Sequence, residues 1–379
     1  MSISSHTNSH TVFPKTSTAN YALAILMLAY IFSFIDRQIL NLLVDPIKRD
    51  LGISDFEISF LQGFAFAIFY TLLGIPISRL ADSSNRKRLI SAGVAIWSAM
   101  TCLCGLANSY LMLFVARVGV GVGEAALSPA AYSMMSDLYP KGKLGRATAI
   151  FSLGIPLGGG LAYLIGGTVA AWAKGTSMIA VPLFGDLHAW QLAFIVVGLP
   201  GIALSLLMLT IHEPQRQGLS ADTEHLSFSA TVSWLWHRKA IYGRLIIAMS
   251  LMSILGYGAL TWYPATLMRT FGKSIIEVGQ QFGVMFLVIG MISTLSTAKL
   301  SEYFFMRGHQ DANLKILLAC ALLAFLPTVF APLMPDYYSA LALMGLAILA
   351  IAGHFGVGIA ALQMITPNRL RAQTNAILL

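Results

Sequence analysis

From Tyr21 onward, long apolar runs alternate with short polar stretches that hold most of the charge. A helix crosses a bilayer core with about 20 apolar residues, so each run is predicted to be a membrane span. The spans are Tyr21–Val44, Phe56–Leu80, Leu89–Ala107, Leu111–Leu138, Gly145–Val169, Gln191–Ile211, Ile241–Pro264, Glu277–Leu300, Leu314–Met334 and Tyr338–Pro367, ten in all. After the sixth, the pattern breaks into His212-Glu213-Pro214-Gln215-Arg216, a polar stretch, and then Trp234-Leu235-Trp236-His237-Arg238-Lys239. Tryptophans and cations favour the headgroup level, which predicts a linker ending in an interfacial segment. The expected organisation is a cytoplasmic tail (1–19), a first six-helix bundle (20–211), a linker (212–240) and a second bundle (241–379).

The two halves echo each other across that linker. Ser78-Arg79-Leu80-Ala81-Asp82 after span two resembles Ala298-Lys299-Leu300-Ser301-Glu302 after span eight, at an offset of 220. Pro140 and Arg146-Ala147-Thr148-Ala149-Ile150 recur as Pro367 and Arg371-Ala372-Gln373-Thr374-Asn375-Ala376-Ile377, at offsets of 227 and 225. Order and spacing are both kept, the pattern of parallel repeats related by an axis along the membrane normal. A complete repeat would give the second half six spans, so the sequence is expected to stop inside an eleventh, with two crossings absent.

Composition sharpens this picture. With 57% apolar and 11% charged residues among 379, there is too little polar surface to coat a soluble globule. The formal charge of +8 invites a nucleic-acid reading, but its distribution points elsewhere. With the N-terminus inside, cytoplasmic segments hold seventeen Lys and Arg residues and external segments five, with Arg37 and Arg117 left within spans. That bias orients the chain by the positive-inside rule and predicts a protein of the cell membrane. The first span is too long for a signal-peptide core. Cys102, Cys104 and Cys320 lie inside apolar runs, and neither a disulfide nor a metal site is expected.

Gly74-Ile75-Pro76-Ile77-Ser78-Arg79-Leu80-Ala81-Asp82, followed by Asn85-Arg86-Lys87-Arg88, resembles the loop motif between helices two and three of the major facilitator superfamily. Ser78 and Asn85 stand where that motif has glycines, and Ser83 where it has arginine. Arg117-Val118-Gly119-Val120-Gly121-Val122-Gly123-Glu124 resembles the fourth-helix motif, and Gly154-Ile155-Pro156-Leu157-Gly158-Gly159 partly resembles the fifth-helix antiporter motif. Ser33, Asp36, Arg37 and Gln38 in span one, with Arg117 and Glu124 in span four, look like the Spinster-like branch. The resemblance implies an all-α polytopic fold of two parallel six-helix halves, the second incomplete here. It also implies alternating-access transport, with lysolipid or sphingoid-phosphate substrates associated with the branch and proton coupling with its bacterial members. By the same resemblance Asp82, Arg86, Lys87 and Arg88 form a cytoplasmic gate. In it the aspartate faces helix eleven, and a basic residue pairs with an acid at the end of helix four, here Asp137.

A charge at mid-bilayer costs on the order of 3 kcal/mol on insertion scales, so such residues face a cavity or a partner. Asp36, Arg37, Arg117 and Glu124 qualify. Asp36 and Arg37 lie roughly 12 Å from the outer end of span one, at 1.5 Å per residue. Arg117 lies about as deep in span four, which makes an ion pair with the first-span charges feasible. Glu124, nearly two turns further on, shares the Arg117 face. The expectation is that Asp36 and Glu124 are protonatable groups on the cavity wall, while Arg37 and Arg117 set their affinity for protons or hold an anionic substrate. The competing role for each is to staple helices together. Gly119, Gly121 and Gly123 are expected to let helices pack closely, and Pro156 to loosen span five. In the second half Tyr257 and His354 are candidate substrate contacts, His354 lying near the repeat equivalent of Glu124, and Gln363 is a further polar residue in span ten.

No cofactor is expected beyond a proton as coupling ion. The expected partners are a small, lipid-like or anionic substrate and the bilayer, with no nucleic acid and a monomeric chain. An uncoupled facilitator, or a drug, sugar or organic-acid permease, remains open. A membrane-embedded transferase is the reading of another class, disfavoured by the repeat and by the lack of a catalytic His/Asp pair in one loop.

Overall fold

The structure, a computed structural model, describes residues 13–172, 178–181, 185–216, 228–367, 370 and 374. The side chains of Asp82 and Gln363 lie outside the described residues. So does most of the second-half repeat segment after Pro367.

Among the described residues, ten helices are long and apolar enough to cross a membrane, and they match the predicted runs. Span one is Thr16–Leu42. Span two is built from Asp55–Ser59, a π-helical turn at Phe60–Phe64 and Ala65–Ser83. Span three is Arg86–Gly105, and span four is divided into Tyr110–Glu124 and Leu127–Leu138. Span five is divided into Lys141–Ser152 and Gly154–Trp172, and span six is Ala189–Met208. Spans seven to ten are Lys239–Phe271, Ile275–Met306, Ala312–Phe330 and Tyr337–Ile365. Between spans six and seven lies the linker helix Phe228–His237. A short hairpin, Ile179–Val181 with Gly185–Leu187, joins spans five and six.

Both interruptions have local causes. Pro156 has no N–H to offer the carbonyl of Ser152, and its ring crowds that carbonyl, so span five breaks at Leu153. Span four breaks immediately after Glu124, where the chain bends at Ala125 and Ala126. The start of span three is capped by Asn85, whose side chain accepts from the Arg88 amide. Asparagine thus serves as an N-cap where the family motif has glycine.

One hydrophobic core runs through spans one to six and is built on Leu26, Ile39, Trp97, Trp190 and Phe194. A second, with Tyr263, Phe282, Phe286 and Met344, and a third, around Tyr242, Met249 and Leu362, lie in the other half. The halves meet where span five packs on span eight and span one on span seven. At the five–eight seam the backbones nearly touch. A Cβ on Gly279 would stand 2.8 Å from the Cα of Gly167, and one on Gly283 3.0 Å from the carbonyl oxygen of Gly160. Spans one, three and five start, and spans two, four and six end, at the face rich in Lys and Arg, called here the basic face. The other end of the bundle is the opposite rim.

Candidate functional site

In the last third of span one, consecutive residues point about 100° apart, and this separates the two adjacent charges Asp36 and Arg37. Arg37 turns toward span four, where its Nε donates to Oε2 of Glu124 at 2.6 Å. The Ser33 hydroxyl, one turn earlier on the same face, donates to the same oxygen at 2.6 Å. Glu124 is fully buried, and the Arg37 side chain is 13% exposed. The Arg37 guanidinium also lies over the rings of Phe34, Phe66 and Tyr70, at 5.0, 4.6 and 4.7 Å from their centroids. Cation–π contact of this kind holds a cation without using up its hydrogen-bond donors.

Asp36 faces the other way. It is buried, with Thr101 and Cys102 of span three among its neighbours. Arg117 is buried too, but its Nη1 donates to the backbone carbonyl of Asp36, at 3.1 Å, rather than to the carboxylate. The ion pair judged feasible between Arg117 and the first-span acid is therefore replaced by a pair between Arg37 and Glu124. The cause is rotational: depth was matched correctly, but the face of span one turned toward span four is that of Ser33 and Arg37.

Four tyrosines surround this pair. Tyr30 of span one, Tyr70 of span two and Tyr257 of span seven are electrostatic neighbours of Arg37, and Tyr257 stands within its hydrogen-bonding reach. Tyr132 of span four adjoins Tyr30 and Tyr70. Tyr257 is 46% and Tyr132 40% exposed although protein surrounds each of them densely, so they border a hollow within the bundle rather than its lipid-facing surface. Tyr257, a candidate substrate contact, brings the second half to the charged site. Tyr30, Tyr70 and Tyr132 went unnoticed in the sequence, because a tyrosine in an apolar run reads the same whether it packs or lines a cavity. His354 is fully buried in span ten, and its Nδ1 engages the carbonyl of Ile351 within the same helix.

Toward the opposite rim, a chain of amides and a phenol continues from the site. Asn41 donates to Gln38 at 2.5 Å, Gln62 donates to Asn41 at 3.1 Å, and the Tyr163 hydroxyl lies 3.3 Å from Gln38 Oε1 and 3.1 Å from the carbonyl of Leu260.

At the basic face, Arg86 is buried and donates to Asp137 at 2.5 Å, to Ser133 at 2.9 Å, to Glu213 at 2.8 Å and to the carbonyl of Pro214 at 3.0 Å. Glu213 also accepts from the Lys87 amide at 2.9 Å, and Lys87 Nζ reaches the carbonyls of Leu209 and Ile211. Arg88 is exposed. Of the residues grouped as a gate, Arg86, Lys87 and Asp137 are brought together, all within the first half. Glu213 was missed; its signal was an acid immediately before a proline, just after span six.

The model of the Major Facilitator Superfamily matches residues 26–378. The chain belongs to the Major Facilitator Superfamily. This facilitator is similar to a bacterial homologue of the human lysosomal transporter Spinster, solved in an inward-facing, unoccupied conformation. The TM-score is 0.79 at 29% identity, covering 96% of this chain and 79% of that one. It is 28% identical to an MFS-type efflux pump of Mycolicibacterium smegmatis, over 94% of this chain and 80% of the pump. Protein spinster homologue 1 of Homo sapiens is 29% identical over 67% of this chain, which spans about half (47%) of that relative's length. The facilitator is an integral membrane transporter of small molecules and not an enzyme.

Proposed function

We propose that this facilitator is a secondary active transporter, working by alternating access and coupled to protons, for an amphiphilic or organic anion such as a lysolipid. The observation that carries the reading is the buried Arg37–Glu124 pair at the wall of a tyrosine-lined hollow. Arg37 has one carboxylate partner and three aromatic faces around it, so an arriving anion competes with Glu124 for the guanidinium while its apolar part lies on the rings. A buried carboxylate that loses its cation takes up a proton. Substrate occupancy and protonation of Glu124 are thereby linked, and Asp36 is a second protonatable group one residue from the exchange. The moving bodies are 20–211 and 241–379, about the linker 212–240. The basic face lies in the cytoplasm with the N-terminus, in the cell membrane, by the positive-inside rule. The protein works as a monomer without a cofactor.

Uptake into proteoliposomes under an imposed pH gradient, with lysolipids and a panel of organic anions, tests this. Glu124→Gln is expected to lower proton-driven uptake by about tenfold or more, since it removes a charge-assisted bond and the titrating group together. Uptake in Glu124→Gln that keeps its full size and pH dependence removes the residue from the mechanism. Export of an amphiphilic drug is a second reading, favoured by the efflux-pump relative and the aromatic lining. In that case a lipophilic cation is transported, and its transport tolerates Arg37→Gln but not Glu124→Gln.

A further inference from the structure

At the opposite rim, one arginine from the second half is held by two carboxylates from the first. Arg269, in the last turn of span seven, donates through Nε and Nη2 to Oδ1 of Asp45, at 2.9 and 2.6 Å. Its Nη1 and Nη2 meet Oδ2 and Oδ1 of Asp55 at 3.2 and 2.9 Å, a two-pronged fit of guanidinium to carboxylate. Both acids are placed in advance by the first half. Asp45 sits in the first turn of the short helix Val44–Leu51. The far end of that helix is pinned to span six, because Asp50 accepts from Trp190 Nε1 at 2.8 Å and pairs with His188 at 3.1 Å. Asp55 is steadied by Lys48 at 2.6 Å. Only Arg269 has to leave for this cluster to come apart.

Burial separates this cluster from the other large one. Arg86 at the basic face is 1% exposed, and its ionic partners are Asp137 of span four and Glu213 at the start of the linker, neither of them in the second half. Arg269 is 37%, Asp45 29% and Asp55 47% exposed. Exposed ion pairs exchange cheaply for water, whereas breaking a buried one strands a charge. A contact that opens in every cycle has to be of the first kind, and a contact that keeps a moving body rigid can be of the second.

We infer that Arg269 is the release latch of the opposite rim, a positioning residue for transport that joins the halves through Asp45 and Asp55 and must let go before the hollow opens on that side. The inference rests on the alternating-access reading. The latch is weak by construction and acts on the balance between states, not on substrate contact.

Spin labels at Arg49→Cys and Thr270→Cys, both exposed positions on either side of the latch, report the rim distance in proteoliposomes of protein whose three native cysteines are replaced. Arg269→Gln is expected to raise the population with the longer distance by about fivefold. Asp45→Asn with Asp55→Asn should do the same, and combining all three should add nothing, the signature of one shared interaction. An unchanged distance distribution in Arg269→Gln, or effects that add in full, overturns the latch. Substrate uptake by the same vesicles tells the two failures apart. Uptake with unmoved distances leaves the transport reading standing and the latch refuted, while a parent protein that takes up none of the panel refutes the reading beneath it.

Discussion

Arg86 and Arg88 are two residues apart in one basic run and look interchangeable there, yet the fold gives them opposite weight. Arg86 is buried among Asp137, Glu213 and Ser133, while Arg88 is exposed and contributes its backbone amide to the Asn85 cap. Removing one member of a buried ionic cluster leaves its partners uncompensated, at about 3–5 kcal/mol. Arg86→Ala is therefore expected to lower the thermal unfolding midpoint in detergent sharply, and Arg88→Ala to change stability by no more than about 0.5 kcal/mol. Equal midpoints for the two variants would contradict the burial argument. The same contrast marks what was legible at this scale. Asp36, Arg37, Arg117 and Glu124 stand out because a charge within an apolar run is costly enough to need a reason. Which of them pair is set by the rotation of span one about its axis, to which residue spacing gives only an approximate guide. Charges in loops carry no such flag. Glu213, Arg269, Asp45 and Asp55 read simply as polar punctuation between spans.

At the scale of elements, the glycine run of span four is a packing surface whose members are not equivalent. A Cβ on Gly123 would stand 2.7 Å from the Trp97 amide nitrogen and 2.8 Å from the Gly93 carbonyl oxygen, both backbone atoms of span three. A Cβ on Gly119 would meet only the Met100 side chain, a flexible neighbour able to move aside. Gly123→Ala is expected to force spans three and four apart, reducing the yield of folded protein and its midpoint by several degrees. Gly119→Ala should fold normally, and size-exclusion profiles of the two variants after extraction decide the matter. The packing role of these glycines, the break near Pro156 and the ten spans could all be foreseen, because each follows from local chemistry: missing side chains, a missing N–H, or enough apolar residues to cross a bilayer. The break after Glu124 could not. It depends on span four meeting its neighbours over two separately packed stretches, which no residue in it announces.

For the whole molecule, the decisive contrast is between the buried ionic clusters at Arg37 and Arg86 and the exposed one that joins the halves. The Arg37–Glu124 pair is buried, and so is the Arg86 cluster, whereas the Arg269 cluster at the opposite rim is partly open to water. Salt distinguishes these classes, because the screening length shrinks from about 10 Å at 0.1 M to about 3 Å at 1 M and acts chiefly on exposed charges. Raising ionic strength from 0.1 to 1 M is accordingly expected to increase the rim-open population of the unaltered protein about two- to threefold, as read by the same spin-label pair. In Arg269→Gln that response should vanish, because the screened interaction is already gone. Since the exchange proposed at Arg37 would take place at a buried pair where salt penetrates poorly, the pH dependence of uptake should hold its position over the same range while its maximal rate changes. A salt response that survives in Arg269→Gln would place the screened contact elsewhere along the seam. If instead rate and pH dependence moved together, the rim and the charged hollow would be acting as one unit. On the proposed mechanism the exposed latch and the buried exchange pair are separable because different surroundings screen them, and that difference would let one end of the transporter open without disturbing the chemistry at its centre.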